Sequence, residues 1–574
     1  MDQALNDIND AQRRAIEHGN GHLLVVAGPG TGKTHMLTYR ILQFISKLQA
    51  DEKILAITFT NKAAREMQER LTARMSAVAR FVIVGTFHSF CLSILRQYFK
   101  QTNLPENFRV AAPEEIEELL KTQWGISVKE LKAVTEEISQ WKSFGRVQKP
   151  VRLKEYNDAL RAKGLVDFDD LINETLILLK NNEKVAALIR RTYRFVCVDE
   201  YQDTNAIQNA FLKELVDDGV VLTAIGDPNQ AIYAFRGSDV RFFHQFDRDF
   251  PGATVMMLRE NYRSTENLLT ASGQVIGAGR EAGLALSAIA SIHEEGRLVV
   301  YEAPTDKAEA EYVVHQIENL VGGTSMFSRD SGRVKGSGAG QCSFGDIAVL
   351  YRLNAQKNFL RQAFERSGIP FQVSGDQPLG LSIEAANAIR QSFPSPHQEA
   401  AVDALERFGK SVEGQLWLER DKDLAANWEA LIRLARGSGS LAEFFDQTAL
   451  EQPEDHFEFH VEKVSLMTLH ASKGLEFPVV FIIGCEEHLL PLDFIGMTSD
   501  AQEERRLFYV GMTRAKEHLY LTRSRRRQLF GQTLNNPASR FLSDIQEDLK
   551  AYDQMQLKSR RENKKEDDQQ LTLF

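Results

Sequence analysis

The sequence predicts an α/β fold with parallel sheets, and three observations lead to this prediction. Short runs of β-branched and apolar residues alternate with longer helical patterns, as in parallel sheets with crossover helices. These runs lie at 23–27, 54–58, 195–198, 220–225, 347–351 and 479–483. Two stretches, about 100–165 and 380–460, show helical patterns alone. Because 574 residues exceed a single core, we expect two α/β domains, each with a mainly helical insertion.

The composition is that of a globular protein with an uneven distribution of charge. Hydrophobic residues make up 43% and charged residues 26% of the chain, which excludes wholesale disorder and membrane residence. The formal net charge of −10 argues, taken alone, against a nucleic-acid partner. However, residues 380–460 contain 7 Lys and Arg against 15 Asp and Glu. The remainder is therefore close to neutral and can present a basic groove, whereas the acidic insertion is poorly suited to gripping duplex phosphates.

Three features of the sequence predict a cytoplasmic location. The start, Met1–Asp7, is acidic and polar, unlike a secretory signal. The most apolar run, 477–485, is about half the length of a membrane-spanning helix. The cysteines stand far apart, at Cys91, Cys197, Cys342 and Cys485. This spacing suggests neither a zinc site nor a disulfide framework.

A glycine-rich segment follows the first apolar run and precedes a helical pattern. It reads Ala27-Gly28-Pro29-Gly30-Thr31-Gly32-Lys33-Thr34. Small residues let successive backbone N–H groups surround a β-phosphate at the positive end of a helix. In such a loop Lys33 reaches the β- and γ-phosphates and the Thr34 hydroxyl ligates Mg²⁺. We therefore predict an ATP and Mg²⁺ site, the alternative being a glycine turn with an incidental lysine.

Two acidic residues, Asp199 and Glu200, follow the apolar run 195–198 directly. A magnesium-dependent nucleotide hydrolase needs carboxylates at the end of a strand beside its phosphate loop. We expect Asp199 to hold the metal, largely through water, and Glu200 to orient and deprotonate the attacking water. The alternative is a solvated turn.

These segments and several others resemble, in order, the motifs of superfamily 1 DNA helicases of the UvrD, PcrA and Rep type. The further matching segments are 9–12, 58–64, 85–90, 199–203, 226–237, 260–264, 468–477 and 509–516. The resemblance implies two RecA-like parallel-sheet domains, the first at 1–99 and 166–263 and the second at 264–379 and 461–550. Helical insertions are then expected at 100–165 and 380–460, followed by a disordered tail at 551–574.

The resemblance also assigns residues to nucleotide and DNA. Gln12 is expected to recognise adenine, Tyr262 to stack on it with help from Arg40, and Glu476 to bond the ribose. The γ-phosphate is expected to meet Gln230, Arg263 and Arg514. The expected DNA contacts are Phe59, Thr60, Asn61, His88, Tyr233, Phe235, Arg236, Thr468 and His470.

The insertion at 380–460 is shorter than its counterpart in the family, which contacts duplex DNA. We therefore expect ready translocation on single strands but weak unwinding without a partner.

The last residues are Gln570, Leu571, Thr572, Leu573 and Phe574. They resemble the short peptide by which bacterial repair proteins dock on the sliding clamp, and a flexible polar tether suits such docking. An uninformative frayed terminus is the alternative.

The function implied by the resemblance is an ATP-driven translocase and helicase on single-stranded DNA and 3′-tailed duplex, moving 3′ to 5′, in repair or replication. The alternative is a DNA-dependent ATPase subunit or remodeller of a larger repair or clamp complex. An RNA substrate stays open, because aromatic platforms accept either sugar. The active species is expected to be a monomer or a protein-activated form.

Overall fold

The structure, a computed structural model, describes residues 7–19, 21–144, 148–217, 219–279, 288–294, 296–322, 342–375, 381–396, 398–451, 455, 457, 461–494 and 497–553. Its strands are β1 Leu23–Ala27, β2 Lys53–Thr58, β3 Val82–Thr86, β4 Arg109–Val110, β5 Leu165–Val166, β6 Tyr193–Val198, β7 Val221–Gly226, β8 Thr254–Leu258, β9 Glu260–Asn261, β10 Ile289–Ala290, β11 Arg297–Ala303, β12 Ile347–Tyr351, β13 Phe371–Val373, β14 Val464–Thr468, β15 Phe477–Ile482, β16 Asp493–Phe494, β17 Met497–Thr498, β18 Ala515–Ser524, β19 Arg527–Leu529, β20 Gln532–Leu534 and β21 Ala551–Asp553.

Its α-helices are α1 Asp10–Glu17, α2 Lys33–Ile45, α3 Asn61–Arg74, α4 Phe87–Gln97, α5 Pro113–Trp124, α6 Val128–Phe144, α7 Leu153–Ala162, α8 Phe168–Asn181, α9 Glu183–Thr192, α10 Ala206–Leu215, α11 Arg241–His244, α12 Phe246–Asp249, α13 Glu266–Gly277, α14 Asp306–Val321, α15 Lys357–Ser367, α16 Ile383–Ser392, α17 Ala401–Lys410, α18 Val412–Arg420, α19 Lys422–Ala435, α20 Leu441–Leu450, α21 Ala501–Met512 and α22 Arg540–Ser543. The described residues divide into two compact units: those within 1–263, 281–292 and 373–461 form the first, and those within 264–280, 293–372 and 462–574 the second.

The first unit is built on a six-stranded sheet in the order β3-β2-β6-β7-β1-β8. Its strand pairs are parallel. One face packs against α4, α8 and α10, and the other against α1, α2 and α3. Because both faces are covered, β1 is buried along its whole length and reads as a continuous apolar run. Parallel pairing also brings the carboxyl ends of all six strands to one edge of the sheet, where open α/β sheets bind ligands.

The stretch 100–165 is mainly helical, as the sequence predicts, but it also contributes to a short pair of strands. Helices α5, α6 and α7 form a small core, and β4 pairs in parallel with β5. The ammonium group of Lys142 on α6 lies 2.6 Å from carboxylate oxygens of both Asp167 and Asp170 at the start of α8. Burial alone lowers the pKa of Lys142, but the two carboxylates outweigh burial and raise it. This ion-pair cluster fixes the helical insertion to the sheet-bearing part of the unit.

The stretch 380–460 forms helices α16 to α20 around a core of its own, which includes Leu405, Phe408, Leu431 and Phe444. The sequence places it as an insertion in the second α/β domain, and it does lie between β13 and β14 of the second sheet. Its residues nevertheless form one compact unit with the first sheet. Leu450, at the end of α20, is part of the core beneath α4 and α8.

The second unit has a seven-stranded sheet in the order β13-β14-β12-β15-β18-β11-β21. The pairs β12–β14, β12–β15, β15–β18, β11–β18 and β11–β21 are parallel. The predicted α/β fold with two parallel-sheet domains is thus confirmed. One detail is corrected: residues 551–553, assigned to a disordered tail, pair with Val299–Tyr301 as strand β21. No helix in the described part of the chain is long and apolar enough to span a membrane.

Candidate nucleotide site and nucleic-acid interface

The glycine-rich segment forms a tight loop between β1 and α2. Strand β1 ends at Ala27 and α2 begins at Lys33. Thr31 Oγ1 donates to the Gly28 carbonyl at 2.9 Å, which closes the turn. Lys33 Nζ lies 3.3 Å from the Ala27 carbonyl oxygen and 3.4 Å from that of Gly28. The loop therefore presents the positive end of a 13-residue helix together with one ammonium group, which suits an anionic phosphate chain.

Two glycines of the loop are required by their conformation and by their neighbours. Gly30 and Gly32 have φ of +69° and +76°, which side-chain-bearing residues rarely adopt. A Cβ atom on Gly30 would lie 2.6 Å from Arg263 Cβ. A Cβ atom on Gly32 would lie 2.7 Å from Gln12 Nε2. The loop is therefore packed directly against two of the predicted nucleotide-binding residues.

The segment after β8 is fastened to the same loop. Asn261 Nδ2 donates to the Pro29 carbonyl at 2.7 Å, and the Tyr262 N–H donates to the Gly30 carbonyl at 2.9 Å. The Arg263 N–H donates to Asn261 Oδ1 at 2.9 Å. Asn261 belongs to the matching segment 260–264, but the sequence assigns it no role of its own. Its buried amide is what holds Tyr262 and Arg263 beside the loop.

Helix α1 places Gln12 and Tyr262 on a common framework. Gln12 Nε2 donates to the Thr31 carbonyl at 2.8 Å, and Gln12 Oε1 accepts from the Asn9 N–H at 3.1 Å. Asn9 Nδ2 in turn donates to the Tyr262 hydroxyl at 2.8 Å. The Tyr262 side chain is 46% exposed while its hydroxyl is held. Its ring thus offers an anchored aromatic face, as adenine stacking requires.

Arg40 lies away from this framework, contrary to its predicted role beside adenine. Its guanidinium is buried and donates to the carbonyls of Ala15, Ile16 and His18 and to Thr223 Oγ1. Burial lowers its pKa to about 10. Arg40 lies two helical turns beyond Lys33 on α2, away from the phosphate loop. Its hydrogen bonds anchor the end of α1 to the core. The residue of α2 nearer the loop is His35, which stacks on Tyr39 with 4.9 Å between ring centroids.

The acidic pair lies at the carboxyl end of β6. Asp199 is buried, and burial raises its pKa well above its ordinary value. The charge of Glu200 adds to this rise and that of Lys33 opposes it. A buried carboxylate with a raised pKa gains from a nearby cation, and hydroxyl and carboxylate oxygens are ligands that Mg²⁺ prefers. Thr34 and Asp199 therefore fit a metal that also takes phosphate and water ligands. The described residues contain no group of three or more His, Cys, Asp or Glu that would hold a metal alone.

The end of β7 lies beside this pair and carries Gln230. Asp227 Oδ2 accepts from Gln230 Nε2 at 3.0 Å, and both residues are buried. The neighbouring Gln202 donates to the Glu200 carboxylate and accepts from the Asp227 N–H at 3.0 Å. Gln202 belongs to the matching segment 199–203, but the sequence assigns it no role. Its complete burial beside a predicted catalytic residue is visible only in the folded chain.

Three aromatic side chains form a platform after β2 and β7, defined here as Phe59, Tyr233 and Phe235. Phe59 stacks on Tyr233 with 5.2 Å between ring centroids and 20° between ring planes. Tyr233 and Phe235 are 6.0 Å apart, and Phe235 is 62% exposed. The Arg236 guanidinium lies 5.7 Å from the ring centroids of both Tyr233 and Phe235. The structure thus brings together four of the predicted DNA contacts, with one exposed aromatic ring and the positive charge that single strands require.

Two other predicted DNA contacts in this unit have protein partners. The His88 ring packs against Phe168 with 3.7 Å between ring centroids and 31° between ring planes. Burial lowers the pKa of His88 to about 3, so it is neutral. Asn61 Nδ2 donates to the Leu450 carbonyl at 2.8 Å and to Asp455 Oδ2 at 3.1 Å. Thr60 is exposed and caps α3 by accepting from the Ala63 N–H. Asn61 is therefore covered by the chain that leaves the acidic insertion.

The remaining predicted site residues belong to the second unit. Arg514 is buried and donates to the carbonyls of Val510 and Leu475, each at 2.9 Å. Glu476 pairs with Lys516 at 2.8 Å. Thr468 Oγ1 accepts from the Ala471 N–H and so fixes the turn that carries the half-buried His470. Their assignments to ATP and DNA stay predictions, and residues 570–574 lie outside the described part of the chain.

Comparison with known proteins supports the same interpretation. A family model described as the UvrD/REP helicase N-terminal domain matches residues 8–251. One described as the UvrD-like helicase C-terminal domain matches 256–380 and 402–526.

Two similar proteins are both named ATP-dependent DNA helicases. One is UvrD1 of Mycobacterium tuberculosis (strain ATCC 25618 / H37Rv), 32% identical over 682 residues that cover 96% of this chain and 86% of that protein. The other is PcrA of Bacillus subtilis (strain 168), 30% identical over 660 residues that cover 95% and 87%. Both alignments are longer than this chain, so these proteins contain segments that it lacks. The chain belongs to the UvrD/PcrA family of ATP-dependent DNA helicases.

Proposed function

We propose that this chain is an ATP-driven translocase on single-stranded DNA that moves 3′ to 5′ and acts as a helicase in DNA repair or replication. One observation supports this most strongly: one edge of the first sheet carries the phosphate loop, the acidic pair and the aromatic platform. Hydrolysis and strand contact thus share the loops that follow β1, β2, β6 and β7. The described cysteines are free thiols, which fits a reducing cytoplasm.

The catalytic roles follow from the charges that phosphoryl transfer requires. Thr34 and Asp199 would hold Mg²⁺, which supplies positive charge to the β- and γ-phosphate oxygens when bound. Glu200 orients the attacking water and takes its proton. Lys33, Gln230, Arg263 and Arg514 stabilise the charge that develops on the departing γ-phosphate. Gln12 and Tyr262 hold the adenine, and Glu476 the ribose.

The platform supports binding to single strands without a requirement for sequence. Each base stacked on an aromatic ring contributes about 1–3 kcal/mol. Phe59 and Tyr233 are already parallel to one another, so little ordering is needed before a base stacks beside them. Arg236 provides the positive charge for the backbone.

A second function is favoured by the contacts of the acidic insertion. In this alternative the chain is a DNA-dependent ATPase subunit or remodeller of a larger repair or clamp complex, with little unwinding alone. Asp455 and Glu451 bond to Asn61, Lys62 and Arg65 at the start of α3. The insertion thus covers a predicted DNA-contacting helix of its own unit. Such a chain would require a partner to become an active helicase.

Parallel assays on one preparation separate these functions. We expect ATPase activity to be stimulated far more by single-stranded DNA than by duplex DNA or RNA. We also expect ready translocation on single strands and weak unwinding of a 3′-tailed duplex, because the insertion is short and acidic. The Glu200→Gln variant gives the background signal of each assay in the absence of ATP hydrolysis. Robust unwinding of long duplex by the chain alone would contradict the second function, and equal stimulation by RNA would contradict a DNA substrate.

The C-terminal peptide Gln570–Phe574 is proposed to dock on a bacterial sliding clamp. Deleting 570–574 should abolish capture of the protein on immobilised clamp, since a short apolar motif on a polar tether contributes the contact. The matched control deletes 564–568, which shortens the tether by the same number of residues and keeps the peptide. Capture that survives the first deletion would rule out this peptide as the docking element.

A further inference from the structure

Gln202 joins the carboxyl ends of two neighbouring strands. It lies in the short turn Tyr201–Asp203 that follows β6 and is fully buried. Its side-chain amide group donates to the Glu200 carboxylate, and its carbonyl oxygen accepts from the Asp227 N–H at 3.0 Å. One side chain therefore contacts both the predicted general base and the first residue after β7.

The orientation of this amide is fixed by its two partners. The group of Asp227 that meets Gln202 is its backbone N–H, which can only donate, so the amide oxygen of Gln202 must face it. The amide NH₂ group then necessarily faces the Glu200 carboxylate, which accepts. A flipped amide would oppose donor to donor and oxygen to oxygen. Gly226 closes the remaining space, since a Cβ atom there would lie 2.1 Å from Gln202 Oε1.

Glu200 needs such a partner because its backbone is in an unfavourable conformation. Its φ of +51° and ψ of +41° are left-handed, a conformation that residues with a side chain rarely adopt. Two hydrogen bonds hold the turn. The Glu200 N–H donates to Asp199 Oδ1 and the Asp203 N–H donates to the Glu200 carbonyl, each at 2.9 Å. The contact with Gln202 then fixes the carboxylate itself.

Asp227 connects the other end of Gln202 to the aromatic platform. Asp227 caps the short turn Pro228–Gln230, with Oδ1 accepting from the Asn229 N–H at 2.9 Å and Oδ2 from Gln230 Nε2 at 3.0 Å. Three residues further on, the same loop presents Tyr233. The hydrogen bond from the Asp227 N–H to Gln202 Oε1 thus connects the loop that carries Tyr233 to the buried amide.

We propose that Gln202 is a positioning residue that couples base stacking on the platform to the orientation of the Glu200 carboxylate. The proposal rests on the proposed function, in which Glu200 takes the proton of the attacking water. In this arrangement DNA raises the kcat of hydrolysis through one buried amide. This effect is separate from any change in the affinity for ATP. Gln202 itself touches neither nucleotide nor DNA.

The first test replaces Gln202 with methionine, which has a similar length and neither amide donor nor amide acceptor. We expect kcat with saturating single-stranded DNA to fall at least tenfold while basal kcat without DNA falls less than threefold. KM for ATP and Kd for the single strand should stay within twofold. An equal fall of basal and stimulated kcat would overturn the coupling. It would show that Gln202 supports the general base Glu200 equally with and without DNA.

A double-mutant cycle with Tyr233→Ala tests the path directly. Alone, Tyr233→Ala should reduce the ratio of stimulated to basal kcat. In the Gln202→Met background it should change this ratio by less than twofold, because the link is already cut. Additive effects of the two substitutions on the ratio would contradict the proposal.

Two further variants keep the outcome interpretable. Gln208→Met removes another buried glutamine amide in the same unit, at the start of α10, and should leave the stimulation ratio unchanged. Should Gln202→Met unfold at the assay temperature, Gln202→Asn replaces it, since it keeps an amide that is one methylene too short to bridge both partners. If Glu200→Gln retains turnover, Glu200 is not the general base, and the part of the proposed function on which the coupling rests fails. If Glu200→Gln is inactive and the Gln202 variant keeps full stimulation, the coupling alone fails.

Discussion

Glu200→Gln is expected to lower the kcat of DNA-stimulated ATP hydrolysis by about 10²–10⁴-fold while ATP binding is retained, because a general base contributes about that factor. The amide keeps the size of the side chain and still offers an oxygen to the NH₂ group of Gln202. The left-handed turn at residue 200 should therefore survive. Steady-state hydrolysis at saturating single-stranded DNA gives kcat, and equilibrium binding of ATP with Mg²⁺ gives the affinity.

A matched control and a second variant complete this experiment. Glu183→Gln makes the same change at a largely exposed carboxylate on α9 that pairs with Arg190, and it should leave kcat unchanged. Lys33→Met should also abolish hydrolysis, but it should weaken ATP binding as well, since the ammonium group contacts phosphate in both ground and transition state. Retained turnover in both the Glu200 and Lys33 variants would overturn the site assignment.

Local sequence predicts the parallel sheet and the turn of the phosphate loop well, and physics explains why. Strands such as 23–27 are buried on both faces, so their continuous apolar runs are distinctive. The phosphate loop and acidic pair are short segments whose function depends on adjacent residues. Gly30 and Gly32 take up the left-handed conformations that the pattern requires.

Features that depend on distant contacts were predicted poorly. The resemblance assigns Arg40 to adenine, and only the folded chain shows its guanidinium buried beneath α1, where it donates to the Ala15 carbonyl. The strand at 551–553 owes its order to pairing with β11 rather than to its own sequence. The contact of Glu451 with Arg65 joins residues 386 positions apart, and no local pattern indicates such a pairing.

That long-range contact gives the acidic insertion a specific effect on DNA binding. Asp455 Oδ1 accepts from the Lys62 N–H at 3.1 Å, and Glu451 pairs with Arg65 at 2.7 Å. Asn61, Lys62 and Arg65 are thus bonded to carboxylates at the N-terminal end of α3, where backbone donors and the helix dipole favour an anion. A DNA phosphate that approaches this end must displace two negative charges of the chain itself.

Removing these charges with Glu451→Gln and Asp455→Asn together should raise affinity for single-stranded DNA about tenfold at low salt, which corresponds to about 1.4 kcal/mol. The DNA concentration for half-maximal ATPase stimulation should fall by the same factor, while kcat at saturating DNA stays unchanged. The gain should shrink as salt rises, because screening weakens the repulsion that is removed. Titrations by fluorescence anisotropy over a range of salt concentrations measure both effects.

The control for this variant is Glu406→Gln with Glu419→Gln. It removes the same charge from two exposed positions of the insertion, of which Glu406 pairs with Lys410 on its own helix. If the effect depends on the local contact, this control should change affinity by less than twofold. If both variants gain equally, the net charge of the insertion is responsible rather than the contact. Unchanged or weaker DNA binding by the Glu451→Gln and Asp455→Asn variant would contradict this prediction. It would show that the two carboxylates only fasten the insertion to α3 and do not compete with DNA phosphates.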